Sequence, residues 1–143
     1  MVQRLAYKIR SSADNKRHVC IDAENEKEIF SFLNADPARI KKFRQVVDII
    51  IGGLRNSELY DKEEIDKKSK NVTAIKMFKG GQNIRLYCKE QRGDHGIFYV
   101  IVAELLEKKK DQKVKGRVKT LIQTVGNYEY KIIERKTANK SLG

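Results

Sequence analysis

Residues 73–110, TAIKMFKGGQNIRLYCKEQRGDHGIFYVIVAELLEKKK, predict three consecutive β-strands that end in a cluster of lysines. In the middle run Arg85, Tyr87 and Lys89 alternate with apolar residues. Because successive side chains of a strand point to opposite faces, one face of this strand is apolar and the other is cationic. Lys76 leaves the apolar face of the preceding strand in the same way. The pattern predicts a sheet that presents Lys76, Arg85 and Tyr87 together on one side, although half-solvated sheets also place such residues on their wet face for structural reasons.

The strands are separated by plausible turns. Residues 80–83, GGQN, join the first pair, and residues 92–96, RGDHG, join the second. Residues 97–106, IFYVIVAELL, are apolar on both faces, which is typical of a central strand covered on each side. These three strands therefore predict an antiparallel meander with the last run inside the sheet.

Helices are predicted on both sides of the meander. Asp22 can cap a first helix that continues to about Leu33, and Asp36 followed by Pro37 is a strong start for a second helix that stops at residues 52–53, GG. A third helix is predicted from Asp111 to about residue 125. Residues 1–10 and 18–22 are further short strand candidates, as are residues 128–133, whereas the charged residues 56–70 suit a surface connection. The fold class is α+β, with N-terminal helices packed on an antiparallel β-meander and a C-terminal helix.

The composition indicates one domain over residues 1–143, with a basic tail that frays from about residue 134. The formal net charge is +12, and residues 107–143 contain eleven basic and four acidic residues. Such a surface attracts a polyanion or an acidic protein, and binding to nucleic acid would depend on salt.

No long apolar run or secretory signal is visible, which predicts a cytoplasmic protein without a membrane partner. Cys20 and Cys88 lie in strand-like apolar runs, and His18 and His95 show no ligand spacing. We therefore expect neither a metal site nor a cofactor.

Over residues 40–128 the sequence resembles the RelE/ParE toxin superfamily, most closely its HigB-like and phage-derived members. The matching parts are the amphipathic helix before the sheet, the IKM strand (75–77), the turn into IRLY (84–87), the strand IFYVIVAELL (97–106), and KKKDQK (108–113) opening a helix that ends in GNY (126–128). The resemblance implies a RelE-like fold. It also implies a toxin of a type II toxin–antitoxin system, silenced by a cognate antitoxin protein.

The activity implied by the resemblance is metal-independent endoribonuclease cleavage of mRNA, usually on the ribosome. A base would deprotonate a ribose 2'-hydroxyl, cations would stabilise the attacked phosphate, and an acid would protonate the leaving 5'-oxygen. Arg85 matches the family arginine that holds the phosphate, and Lys76 matches a strand lysine that stabilises charge or acts as base. The implied catalytic residues are Lys76, Lys79, Arg85, Tyr87 and Lys110. The implied RNA contacts are Lys89, Arg92, Lys108, Lys109 and Lys113.

The sequence also departs from the family pattern. Ala74 stands where RelE-type members carry another lysine, and the tyrosine of their last helix has no direct counterpart, a place that Tyr128 or Tyr130 could take by folding back. The general base and acid are thus unassigned. The alternative is a non-catalytic toxin-like protein that binds RNA or inhibits gyrase, as ParE-like toxins do.

Overall fold

The structure, a computed structural model, describes residues 1–63, 66–77, 83–108 and 115–134. Within these ranges the strands are β1 (Val2–Ser11), β2 (Arg17–Asp22), β3 (Tyr60–Lys62), β4 (Val72–Lys76), β5 (Asn83–Arg92), β6 (Phe98–Lys108) and β7 (Tyr128–Ile133). The helices are α1 (Glu26–Asn34), α2 (Pro37–Ile51) and α3 (Lys115–Gly126), and the main connection between α2 and β4 contains a 3-10 turn at Lys67–Ser69.

The predicted fold class, N-terminal helices packed on an antiparallel β-meander, is wrong. The described strands form one mixed sheet in the order β3-β4-β5-β6-β2-β1-β7. β4, β5 and β6 are antiparallel neighbours, but β2 pairs with β6 in parallel and β7 pairs with β1 in parallel. The meander is therefore the middle of a larger sheet, because segments from both chain ends pair with each other and with β6.

Local signals placed the second helix correctly. The Asp36 carboxylate Oδ1 accepts a hydrogen bond from the Ala38 amide at 2.9 Å, and Pro37 is the first residue of α2. This confirms the predicted helix start, since both residues satisfy the needs of a helix N-terminus. Asp22 also binds backbone amides, those of Glu24 and Asn25, although α1 begins only at Glu26.

The two faces of the sheet are covered by different helices. On one face α1 and α2 bury Leu33, Phe43 and Val47 against strand residues that include Leu86 and Val100. On the other face, called here the α3 face, α3 buries Ile122 and Val125 in a second cluster with Tyr87 and Ile101. Burial on both sides explains why β6 is apolar along both faces.

The outer edge of β7 is closed by a side chain from β5. The Gln91 Nε2 donates to the Tyr130 carbonyl at 2.8 Å, and the Tyr130 amide donates to the Gln91 Oε1 at 3.0 Å. Gln91 and Tyr130 lie on strands that three other strands separate in the sheet order. The sheet therefore curls over the α3 face until β5 and β7 meet through this Gln91 bridge. None of the helices in the described ranges is long and apolar enough to cross a membrane.

Candidate functional site

Lys76 and Arg85 lie directly opposite each other on antiparallel strands. The register of β4 and β5 pairs Lys76 with Arg85 and Ala74 with Tyr87. Directly paired residues share a face and their Cβ atoms lie within about 5.5 Å, so the two cations project together on the α3 face. The predicted proximity of Lys76 and Arg85 is confirmed, and their catalytic role stays a prediction.

Glu63 completes this group and was not indicated by the sequence. It follows β3, where its amide donates to the Val72 carbonyl at 2.9 Å. Its carboxylate Oε1 accepts a hydrogen bond from the Arg85 Nη1 at 2.8 Å. The side chains of Arg85 and Glu63 are 31% and 20% exposed, so the ion pair is accessible from one side. Glu63 belongs to a charged connection with no helical or strand pattern, and only the pairing of β3 with β4 brings it to Arg85.

Tyr87 lies on the same face but is covered. It is only 1% exposed and packs in the cluster under α3. Burial raises the pKa of the Tyr87 phenol to about 12, with the Glu63 charge raising it further and the Arg85 charge opposing the rise. The phenol therefore stays protonated near neutral pH, and the stacking of Tyr87 on an RNA base, one of its predicted roles, is blocked by α3.

Lys89 is also buried on the α3 face. Its ammonium group donates to the Gly126 carbonyl at 2.5 Å and to the Lys70 carbonyl at 3.4 Å. Burial lowers the pKa of Lys89, because the charged form loses solvation. The Gly126 carbonyl is at the C-terminal end of α3, where a positive charge is favourable. Lys89 thus ties α3 to the Lys67–Ser69 turn and does not face solvent as an RNA contact would.

The other predicted site residues lie elsewhere. Arg92 is exposed at the far end of β5, seven residues from Arg85 and hence about 23 Å away along an extended strand. Its guanidinium lies 5.1 Å from the Phe98 ring centroid, and that of Arg17 lies 4.9 Å from the same centroid. Lys108 is the last residue of β6. Four predicted residues fall outside the described ranges: Lys79, Lys109, Lys110 and Lys113.

A second polar cluster on the α3 face is internally satisfied. The buried Asp22 carboxylate accepts hydrogen bonds from the Arg4 guanidinium at 2.6 and 3.0 Å and from the Tyr130 hydroxyl at 2.6 Å. The Tyr128 hydroxyl donates to Glu104 at 2.5 Å. Tyr128 and Tyr130 are therefore engaged in holding β7 to the sheet, and neither hydroxyl has been brought to Arg85.

The arrangement at Lys76, Arg85 and Glu63 combines two cations with one carboxylate. Such a group can bind a phosphodiester through the cations and accept a proton at the carboxylate. In the described part of the chain, no three His, Cys, Asp or Glu side chains form a group that could hold a metal ion.

Comparison of the chain with protein-family models, with curated proteins and with solved structures gave no match. No residue role is therefore supported by a relative. The chemistry of Lys76, Arg85 and Glu63 is what indicates a function.

Proposed function

We propose that this protein is a cytoplasmic endoribonuclease of the toxin–antitoxin type that cleaves mRNA on the ribosome at Lys76, Arg85 and Glu63. The observation that carries the proposal is the 2.8 Å pair between Arg85 and Glu63, with Lys76 directly across on the neighbouring strand. It supplies the proton acceptor that the sequence pattern lacked. A cognate antitoxin is part of the proposal, as an acidic or amphipathic protein that folds over the basic surface.

The proposed reaction forms one bond and breaks one bond. The Glu63 carboxylate takes the proton of a ribose 2'-hydroxyl, and the freed oxygen attacks the adjacent phosphorus. Arg85 and Lys76 stabilise the charge on the phosphate oxygens as it develops. The bond to the 5'-oxygen then breaks and that oxygen takes a proton, which leaves a 2',3'-cyclic phosphate and a 5'-hydroxyl. DNA lacks the attacking group and is not a substrate.

The test compares wild type with two site variants in mRNA cleavage mapped by primer extension, with and without translating ribosomes, after any bound antitoxin has been removed. Arg85→Ala should lose at least about a hundredfold in rate, because the phosphate loses its main cation. Glu63→Gln keeps the shape but cannot take a proton, and should lose roughly 10²–10⁴-fold.

Matched controls are available on β7, where Glu129 and Lys131 are exposed. Glu129→Gln and Lys131→Ala change the same charges away from the site and should cleave like wild type. Intact mRNA with wild-type protein under both conditions would overturn the proposal.

A second candidate is a non-catalytic toxin-like protein that binds RNA or inhibits gyrase. The burial of Tyr87 and Lys89 favours it, because two of the predicted substrate contacts are covered by α3. Growth arrest on expression without any mRNA cuts would support this candidate, and inhibition of DNA supercoiling by the purified protein would identify gyrase as the target.

A further inference from the structure

Four exposed lysines lie around the junction of the Lys67–Ser69 turn with α3. They are called here the basic seam and comprise Lys67, Lys68, Lys70 and Lys119. The turn touches the helix closely: Gln123 Nε2 donates to the Asp66 Oδ2 at 2.7 Å, and a Cβ added at Gly126 would lie 2.0 Å from the Lys68 carbonyl oxygen. Lys119 is one helical turn before Gln123 and on the same side of α3. The lysines therefore border one seam although about fifty residues separate them in sequence.

The backbone that carries three of these lysines is held rigidly. Asp66 Oδ1 accepts from the amides of Lys68 and Ser69 at 3.0 and 3.1 Å, and the buried Ser69 hydroxyl accepts from the Asp66 amide at 3.0 Å. From below, Lys89 binds the carbonyls of Lys70 and Gly126. The positions of the charges are thus fixed before any ligand arrives, which lowers the entropy lost on binding.

The seam carries uncompensated positive charge. The ion pairs found among the described residues involve none of its four lysines. Asp66 is the carboxylate within the seam, and it is engaged by Gln123 and by the amides of the turn. The buried ammonium group of Lys89 adds positive potential beneath the surface.

The seam also continues from the candidate site. Glu63, which pairs with Arg85, is three residues before Asp66, a distance of at most about 11 Å along the chain. We propose that the basic seam binds the backbone of the single-stranded RNA whose phosphate is held at Arg85, and so extends the substrate surface by several nucleotides. This inference rests on the proposed function for its choice of RNA as the polyanion.

The experiment measures RNA affinity apart from cleavage. The probe is a fluorescein-labelled 2'-O-methyl oligoribonucleotide of about 12 nucleotides, which is long enough to span both sites and has no free 2'-hydroxyl to react. Binding is followed by fluorescence anisotropy between about 50 and 200 mM salt. The seam variant changes Lys67, Lys68, Lys70 and Lys119 to Gln.

A matched control removes the same charge from the opposite face of the sheet. It changes Lys27, Lys41, Lys42 and Arg44 of α1 and α2 to Gln. The seam variant should bind about tenfold or more weakly near 0.1 M salt, and the salt slope should fall by roughly 2 to 3, at about 0.7 per lost phosphate contact. The control variant should keep the wild-type slope, and both variants must show the wild-type melting temperature.

The outcomes separate this inference from the proposed function. Equal loss of affinity and slope in both variants, or no loss in the seam variant, overturns the seam even if mRNA is cleaved at Arg85. Selective loss in the seam variant supports the seam even if wild type cuts no RNA. Selective loss with an acidic peptide such as polyglutamate, but no binding of the oligoribonucleotide by wild type, overturns it in favour of a protein partner.

Discussion

Asp22 is a single residue on which three parts of the chain depend. Its buried carboxylate accepts five hydrogen bonds, from the Arg4 side chain, the Tyr130 hydroxyl and the amides of Glu24 and Asn25. These partners belong to β1, β7 and the residues before α1. A buried charge is tolerated only when it is paired and hydrogen-bonded, and Asp22 meets both conditions.

We predict that Asp22→Asn lowers the free energy of unfolding by roughly 3–5 kcal/mol, because the Arg4 guanidinium is left partly buried without its counter-charge. The measurement is urea unfolding followed by circular dichroism. Glu24→Gln is the control, since Glu24 pairs with the same arginine at 2.6 Å but is 69% exposed. A surface pair of this kind contributes at most about 1 kcal/mol. Similar losses in both variants would contradict the role assigned to Asp22.

At this scale the sequence reveals some partners and hides others. Lys76 and Arg85 were placed together by the alternation of two strands that follow each other in the chain, and the pairing of β4 with β5 confirms it. Glu63 could not be placed, because its approach to Arg85 depends on the pairing of the three-residue strand β3 with β4. A charged connection carries no periodicity from which such a contact could be predicted.

At the scale of elements, α3 decides what the cationic face of β5 can do. Strand alternation predicts which residues share a face, but not whether a helix covers that face. The apolar stripe of α3 had been recognised, whereas the strand residues beneath it had not. Tyr87 became part of the core, and Lys89 became the residue that holds the end of α3.

We predict that Gly126→Ala destabilises the protein by roughly 1–3 kcal/mol, because the added Cβ would lie 2.0 Å from the Lys68 carbonyl oxygen and 2.8 Å from the Ser69 Cα. The same substitution at Gly116 is the matched control in the same helix. A Cβ at Gly116 meets no atom within 4 Å, and alanine favours the helix by up to about 1 kcal/mol. Thermal unfolding of both variants checks the prediction, which fails if Gly126→Ala is as stable as wild type.

At the scale of the whole molecule, the topology was beyond the reach of the sequence pattern. Periodicity identified β2, β6 and β7 as strand candidates, but it does not say that β2 lies beside β6 or that β7 lies beside β1. Both pairings are parallel, so each joins segments that a long stretch of chain separates. The choice of neighbours was therefore made by the burial of two apolar faces, which only the assembled sheet defines.

The Gln91 bridge is the prediction that belongs to this scale. Gln91→Leu should leave the backbone amide and carbonyl of Tyr130 without their partner and lower stability by roughly 1–3 kcal/mol. The exposed edge of β7 should also promote self-association. Hydrogen exchange at the Tyr130 amide and sedimentation velocity measure the two effects. Unchanged exchange in the variant would show that the bridge does not protect this edge.

The parallel pairing of β1 with β7 also has a consequence for synthesis. Val2 lies beside Tyr128, so this side of β1 has no partner until the chain has been translated as far as β7. At about 5–20 residues per second, the roughly 126 residues between them take on the order of 6 to 25 seconds. For that time the nascent chain carries an unpaired N-terminal strand, and the late arrival of β7 sets the moment at which the sheet can close.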